Sequence, residues 1–349
     1  MSVVSLTLRN FRCFKAATFD FSSSITLIQG NNGSGKTSLL EALHYGCHLR
    51  SFRTHLPAEL ATDKGELEGF NLAIKTDLDE ITIGISGKRR LVKINGAQAA
   101  SYQELVKSYK VITFIEDDLD CIKGYPEGRR NLIDQAILVQ EPRYYTLLKN
   151  ARKITEHRNK ILQDHPFHHE NYGIWTEQFI QTYKEIIGCR LHYLEQLNSM
   201  LTTITQEYGS EDLIHLEYRI KRPFETLQER QLLQTDERAA GRVLCGPHLD
   251  DVEFIIGQRN SRAASRGQQK LAMMFLKIAQ ARILMSSNFD KLVFLIDDFL
   301  TDFDTIRITK LLNLLFELRV QLIITVPQQH DLLYSLCAKQ GTFNLITIE

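Results

Sequence analysis

The sequence predicts an α/β fold, with a strand-rich head over residues 1–100 and 207–349 and a helical lobe inserted over 101–206. Three observations carry this. The stretch "ATFDFSSSITLIQG" has strand character and runs into a glycine-rich turn, then into "TSLLEALHYGCHL", where Leu39, Leu40, Leu43 and Cys47 fall at helical spacing. The last third returns to short apolar runs, "KLVFLIDDF" and "VQLIITV", alternating with helical patterns, as parallel strands buried on both faces do. Between them the texture changes to long polar side chains on a helical period.

The elements follow in order. "VVSLTLRNF" supplies a first strand. "FNLAIKTD", "EITIGISG" and "RLVKINGAQ" alternate with period two, and Asn95-Gly96 marks a hairpin turn. From Ser101 to Gln206, segments such as "EGRRNLIDQAILV" and "PRYYTLLKNARKITEHRNKILQ" carry helical periods. The last, "YGIWTEQFIQTYKEIIGCRLHYLEQLNSMLTTI", is amphipathic over many turns yet too short for an extended coiled-coil arm. Strands resume at "LIHLEYRI". No internal repeat or low-complexity segment interrupts the chain.

Bulk properties narrow the class. At 349 residues, 43% hydrophobic and 24% charged, the chain is long enough for about two domains with sizeable cores. Lys+Arg and Asp+Glu are both 42, so overall charge advertises no polyanionic partner and any such contact must come from local patches. The six cysteines are scattered without a C-x-x-C pair, which predicts reduced thiols in a cytoplasmic protein. The N-terminus lacks the apolar core of a secretion signal, and no apolar run approaches a membrane span of about 18 residues. No membrane partner is expected.

The chemistry concentrates in three motifs. Gly30-Asn31-Asn32-Gly33-Ser34-Gly35-Lys36-Thr37 fits G-x-x-x-x-G-K-[ST] between a strand and a helix. Glycines let backbone N–H groups close on phosphates, Lys36 reaches the β/γ-phosphates, and Thr37 ligates Mg²⁺; Ser38 completes the ATP-binding set. The apolar run "LVFLIDDF" delivers Asp297 and Asp298 at the end of a buried strand. Asp297 is the second expected Mg²⁺ ligand, and Asp298 stands where a base would take a proton from the attacking water. Third, Ser265, Gly267 and Gln268 open a long helix, where a hydroxyl, N–H groups and the helix dipole favour an anion. Lys36, Asp298 and Ser265 are the expected catalytic residues, with ATP and Mg²⁺ as cofactors.

These motifs, with "LTLRNFRCF", "SFRT", "INGAQ", "EDDLDCIKGYPEGRRNLID", "GPHLDD", "SRGQQK" and "LIDDFLTDFD" in order and at similar spacing, resemble the RecF family from end to end. The resemblance implies a P-loop ABC-type ATPase head, similar to those of chromosome-maintenance proteins, with a helical lobe. It also implies weak, DNA-dependent ATPase in DNA replication, DNA repair and the SOS response. In that architecture Ser265 closes over the ATP of a second copy, so an ATP-dependent homodimer is expected. The implied partners are double-stranded and gapped DNA and the RecO and RecR proteins, with which it helps load the recombinase on gaps.

The chain departs from the family pattern at Leu249, where the family carries a basic residue, and at Thr301-Asp302-Phe303-Asp304, where it carries S-E-L-D. The alternative is the ATPase subunit of a membrane transporter; it ranks second because Thr325 replaces its switch His and its Gln loop is missing.

Weaker signals remain. Lys88, Arg89 and Arg90 in "GKRRLVK", and Arg129 and Arg130 in "EGRR", are the candidate DNA-phosphate contacts. Arg53 in "SFRT" and Asp304 match family positions near the nucleotide and the dimer face. His165, His168 and His169 lack metal-ligand spacing, and His248, Asp250 and Asp251 form a polar knot without a nucleophile motif.

Overall fold

The computed structural model describes residues 2–21, 23–62, 69–87, 89–99, 105, 109–164, 169–286, 292–298, 301–327 and 330–349. The chain divides into two compact units, Met1–Asp118 with Met273–Glu349, and Leu119–Ala272.

The first unit holds two sheets. Five strands run parallel in the order β14-β3-β13-β12-β8: Asn344–Ile348, Ile25–Gly30, Gln321–Val326, Leu292–Ile296 and Lys110–Phe114. Strands β8, β12 and β13 are buried at every position; β12 reads as an unbroken apolar run, whereas β8 and β13 also bury Lys110, Thr113, Gln321 and Thr325. The second sheet is antiparallel, order β2-β1-β4-β5-β6-β7, comprising Phe14–Asp20, Val3–Phe11, Gly69–Thr76, Glu80–Ser86, Arg89–Ile94 and Ala97–Gln98. Strands β4 and β5 alternate between buried and outward positions, as one solvated face requires. The helix α1, Lys36–His48, contributes Leu39, Leu40, Leu43 and Cys47 to one core shared with Leu6, Leu8, Phe70 and Ile74 of the antiparallel sheet. That core also takes Ile28, Val293, Leu295 and Ile323 from the parallel sheet. A helix packed on two sides is apolar nearly all round, and each large aliphatic side chain so buried stabilises by about 1.5–3 kcal/mol.

The second unit contains helices α2 (Asp118–Lys123, its first residue in the other unit), α3 (Pro126–Gln140), α4 (Tyr144–Gln163), α5 (His169–Tyr208) and α6 (Leu227–Ala240). It also contains a small antiparallel sheet, order β11-β10-β9, made of Arg259–Asn260, Asp251–Ile256 and Ile214–Arg219. Helices α4 and α5 pair antiparallel: Arg158 bonds Tyr172 near one end, and Tyr144 lies against Arg190 near the other. The core combines Ile154, Phe179, Tyr183, Phe224 and Val243 with fully buried charge pairs. Arg158 donates to Glu237 at 2.7 Å and Arg190 to Asp134 at 2.8 Å. Buried pairs of this kind contribute little net stability, but removing one partner costs about 3–5 kcal/mol.

These units do not share the boundaries expected at 100 and 207. Strand β8, inside the expected helical lobe, pairs with β12 in the first unit. Strands β9 to β11 and α6 fall in the second unit, because Asp250 accepts hydrogen bonds from Tyr183 of α5 and Tyr218 of β9, and Arg158 of α4 pairs with Glu237 of α6. The helix α7, Arg266–Ser286, contains the second boundary, and α8 (Thr305–Glu317) and α9 (Asp331–Gln340) complete the first unit.

Candidate functional site

The site begins where β3 ends. A β-carbon on Gly30 would stand 2.4 Å from the Ile348 carbonyl oxygen and 2.5 Å from Ser34 Oγ, so only glycine fits. Gly33 at φ 85° and Gly35 at φ 108° occupy the left-handed region, which turns the chain sharply into α1. Gly35 is the N-cap of α1 and offers no side chain, and the first turn holds no acidic residue. The orphan N–H groups of that turn therefore face the loop without an internal competitor, the electrostatic setting for an anion. Ser34 Oγ is buried without a hydrogen-bond partner, a second mark of a phosphate cradle. Lys36 folds back over the loop and donates from Nζ to the carbonyls of Gly30 at 2.7 Å and Asn31 at 2.9 Å.

Two strands away, the acids arrive. Asp297 directly follows β12, its N–H donating to Phe114 O at 2.8 Å. Thr37 Oγ1 donates to Asp297 Oδ2 at 2.8 Å, and Thr325 Oγ1 donates to Oδ1 at 2.7 Å. Burial pushes the Asp297 carboxyl up from its ordinary value, the two threonine hydroxyls oppose that, and neighbouring Asp298 adds to it. Asp298 lies at φ 48°, and its N–H donates to Thr325 Oγ1 at 3.0 Å. Lys36, Thr37, Asp297 and Asp298 thus meet at the C-terminal ends of the parallel strands, where open α/β sheets hold ligands. The oxygen donors of Thr37 and Asp297 suit a hard divalent cation.

The site also depends on residues that sequence reasoning passed over. Thr325 was visible only as a substitute for a histidine, yet it bonds both aspartates. Glu41, fully buried on α1, takes a forked pair of bonds from Arg12 at 2.6 and 2.7 Å and one from Ser51. Ser51 Oγ in turn accepts from the backbone N–H groups of Arg53 and Thr54, which ties the "SFRT" turn to α1. A lone carboxylate inside an apolar helix run was the available signal for Glu41.

Ser265 precedes α7 and is exposed. Its Oγ accepts from the Gln268 N–H at 3.3 Å, while Gln268 Oε1 accepts from the Ser265 N–H at 3.0 Å, a reciprocal capping arrangement. Gln268 Nε2 also donates to Asp212 Oδ2 at 3.1 Å. Asp304 caps α8 through Arg307 N at 2.8 Å.

The basic candidates separate. Arg89 and Arg90 are exposed on β6, and Lys88 lies outside the described residues. Arg129 departs from expectation: at 1% exposure it is no surface cation. Its Nε and Nη2 donate to Asp251 at 2.8 Å, and its Nη1 to the carbonyls of Cys121 and Gly124. Arg130 is half-buried and donates to Asp250 O, so it too serves the interior of its unit. Of the polar knot, Asp250 and Asp251 belong to this network, while His248 is exposed. His165 and His168 lie outside the described residues, and among those described no cluster of three or more metal-ligating side chains occurs. No helix among them is long and apolar enough to cross a membrane.

A glycine cradle before a helix, a lysine folded over it and an acid at the C-terminal end of an inner parallel strand define a P-loop ATPase fold. The family model described as an AAA domain matches residues 5–229, and the chain belongs to that family. Its similarity to RecF runs over nearly its whole length. It is 28% identical to the DNA replication and repair protein RecF of Exiguobacterium sp., covering 93% of this chain and 92% of that protein. It is 29% identical to that of Natranaerobius thermophilus, covering 95% and 92%. Among solved structures, the recombination mediator protein RecF-ATP of the RecFOR pathway superposes with TM-score 0.82 at 25% identity, covering 95% of this chain and 93% of that one. An Smc head domain from Pyrococcus furiosus, bound to the C-terminal domain of ScpA, shares the fold at TM-score 0.56 and 17% identity, covering 96% and 91%.

Proposed function

We propose that this chain is an ATP-binding protein of DNA replication and repair, acting as an ATP-gated homodimer on duplex and gapped DNA. One observation carries the proposal: Thr37 of the phosphate loop and Asp297, just past strand β12, share a 2.8 Å hydrogen bond at the mouth of a glycine cradle. The near full-length similarity to RecF supplies the DNA context.

In this reading Gly30 to Ser38 hold the triphosphate through backbone N–H groups, and Lys36 exchanges its two loop carbonyls for the β/γ-phosphate oxygens. Thr37 and Asp297 hold Mg²⁺, which offsets phosphate charge. Asp298 takes the proton of the attacking water, and the similarity to RecF supports weak hydrolysis that times the release of the dimer. Ser265, Gly267 and Gln268 complete the site of a second copy, their capping bonds yielding to the γ-phosphate. RecO- and RecR-type proteins are the proposed partners.

The test is the molecular mass in solution with ATP, with ADP and without nucleotide, paired with retention of a gapped duplex. A dimer and retained DNA with ATP alone are expected. A mass indifferent to nucleotide, with DNA bound equally in every state, overturns the gating.

A further inference from the structure

Strand β13, Gln321–Val326, is buried throughout, and Thr325 is its single hydroxyl residue, 2% exposed between Ile324 and Val326. Valine has the same shape and suits a buried strand at least as well, so a threonine here needs a reason beyond packing. A buried hydroxyl is unfavourable unless bonded, and this one is bonded twice. Its proton goes to Asp297 Oδ1 at 2.7 Å, and its lone pair accepts from the Asp298 N–H at 3.0 Å.

Both bonds constrain the acids of the neighbouring strand. Asp297 has one hydroxyl on each carboxylate oxygen, Thr37 on Oδ2 and Thr325 on Oδ1, which together set the plane of the carboxylate. Asp298 occupies the left-handed region at φ 48°, a conformation that a β-carbon disfavours. A satisfied N–H there fixes the direction in which the Asp298 side chain leaves the backbone.

We infer that Thr325 is a positioning residue: one hydroxyl orients the Asp297 carboxylate and holds the Asp298 backbone, so that both acids address the same nucleotide in fixed geometry. The inference rests on the phosphate-loop reading above. Partners that orient a cation ligand typically influence cation affinity or turnover by about 10–100-fold.

The experiment compares the parent chain with Thr325→Val and Thr325→Ser, using Lys36→Ala as the control for the loop. ATP affinity is measured by calorimetry in EDTA and across a magnesium titration, with phosphate release for kcat and KM and a melting curve for each variant. Thr325→Val should remain folded, with a melting temperature lowered by no more than a few degrees for the two lost hydrogen bonds, and should keep its ATP affinity in EDTA. Its magnesium-dependent gain in affinity and its kcat should fall on the order of tenfold or more, with KM little changed. Thr325→Ser, which restores the hydroxyl, should recover both. Parental magnesium response and kcat in Thr325→Val, while Lys36→Ala loses ATP, overturns the positioning role alone. ATP bound normally by Lys36→Ala overturns the loop reading and this inference with it. Should Thr325→Val not fold, Thr325→Ala against Thr325→Ser makes the same comparison, and equal defects in the two overturn it.

Discussion

Asp297 and Asp298 are adjacent in sequence and both half-buried, but they are held differently. Asp297 is anchored by two hydroxyls on its carboxylate, whereas Asp298 is turned by a positive φ and held through its backbone N–H. The difference assigns different duties. Asp298→Asn should still bind ATP with magnesium but turn over on the order of a hundredfold more slowly, the scale of losing one general base. Phosphate release and nucleotide titration on the same sample decide it, and failure to bind Mg-ATP would exchange the duties of the two acids. At this scale the arginines teach the contrary lesson. Arg129 and Arg130 look alike in "EGRR", yet Arg129 lies under Asp251 with bonds from three of its nitrogens. Burial, which no pentapeptide displays, separates an ion-pair partner from a surface cation.

Helix α1 couples the loop to the interior, and its half-buried imidazoles give a pH test. His44 and His48 stack at 4.6 Å, with His44 Nδ1 2.8 Å from Thr113 Oγ1 and His48 Nε2 donating to Val111 O at 3.1 Å. Burial pushes both imidazoles down, His48 to about 4, with the other histidine and Lys277 adding repulsion at His44. A folded-state value below the unfolded one means this contribution is complete above pH about 6.5 and declines as pH falls. For His48 the decline continues down to pH about 4, at roughly 1.4 kcal/mol per pH unit. Urea unfolding between pH 7 and 5 should show a shallower decline in His48→Gln than in the parent; parallel declines would show the imidazole titrates alike in both states.

Helix α7 poses the other element-scale question, because Ser265 and Gln268 already cap it. Ser265→Arg should leave ATP affinity nearly intact and abolish ATP-induced dimerisation. Mixed with Lys36→Ala, it should regain partial association, since one interface then joins an intact phosphate loop to an intact Ser265–Gln268 helix start. Sizing each variant and the mixture with ATP provides the readout, and a Ser265→Arg chain that dimerises like the parent reduces Ser265 to a helix cap.

For the whole molecule, a net charge of zero makes any DNA binding a matter of local placement. Arg89 and Arg90 are exposed on β6, while Arg129 and Arg130 are engaged within their own unit. Arg89→Glu with Arg90→Glu should weaken ATP-dependent DNA retention without altering ATP affinity. The same change should flatten the salt dependence of retention by about 0.9 in log–log slope for each phosphate that is no longer neutralised. Retention and salt slope unchanged by the double reversal would move the DNA surface elsewhere. The units themselves show how far folding rearranges sequence neighbourhoods. Strand β8 joins the parallel sheet from within a helical stretch, through pairing with β12, a partner nearly two hundred positions away.

Local sterics and periodicity sufficed for the glycine-rich loop, the acidic strand, α1 and the helix that Ser265 opens. Each is a short-range pattern: glycines where φ is positive, apolar runs where both faces are buried, a hydroxyl before a helix. The clamp of Thr325 on both aspartates, the Glu41–Arg12 fork, the burial of Arg129 and the make-up of the two compact units join residues distant in sequence. Their partners are chosen by sheet order and core packing, and those arise from long-range interactions whose free energy is absent from any local window.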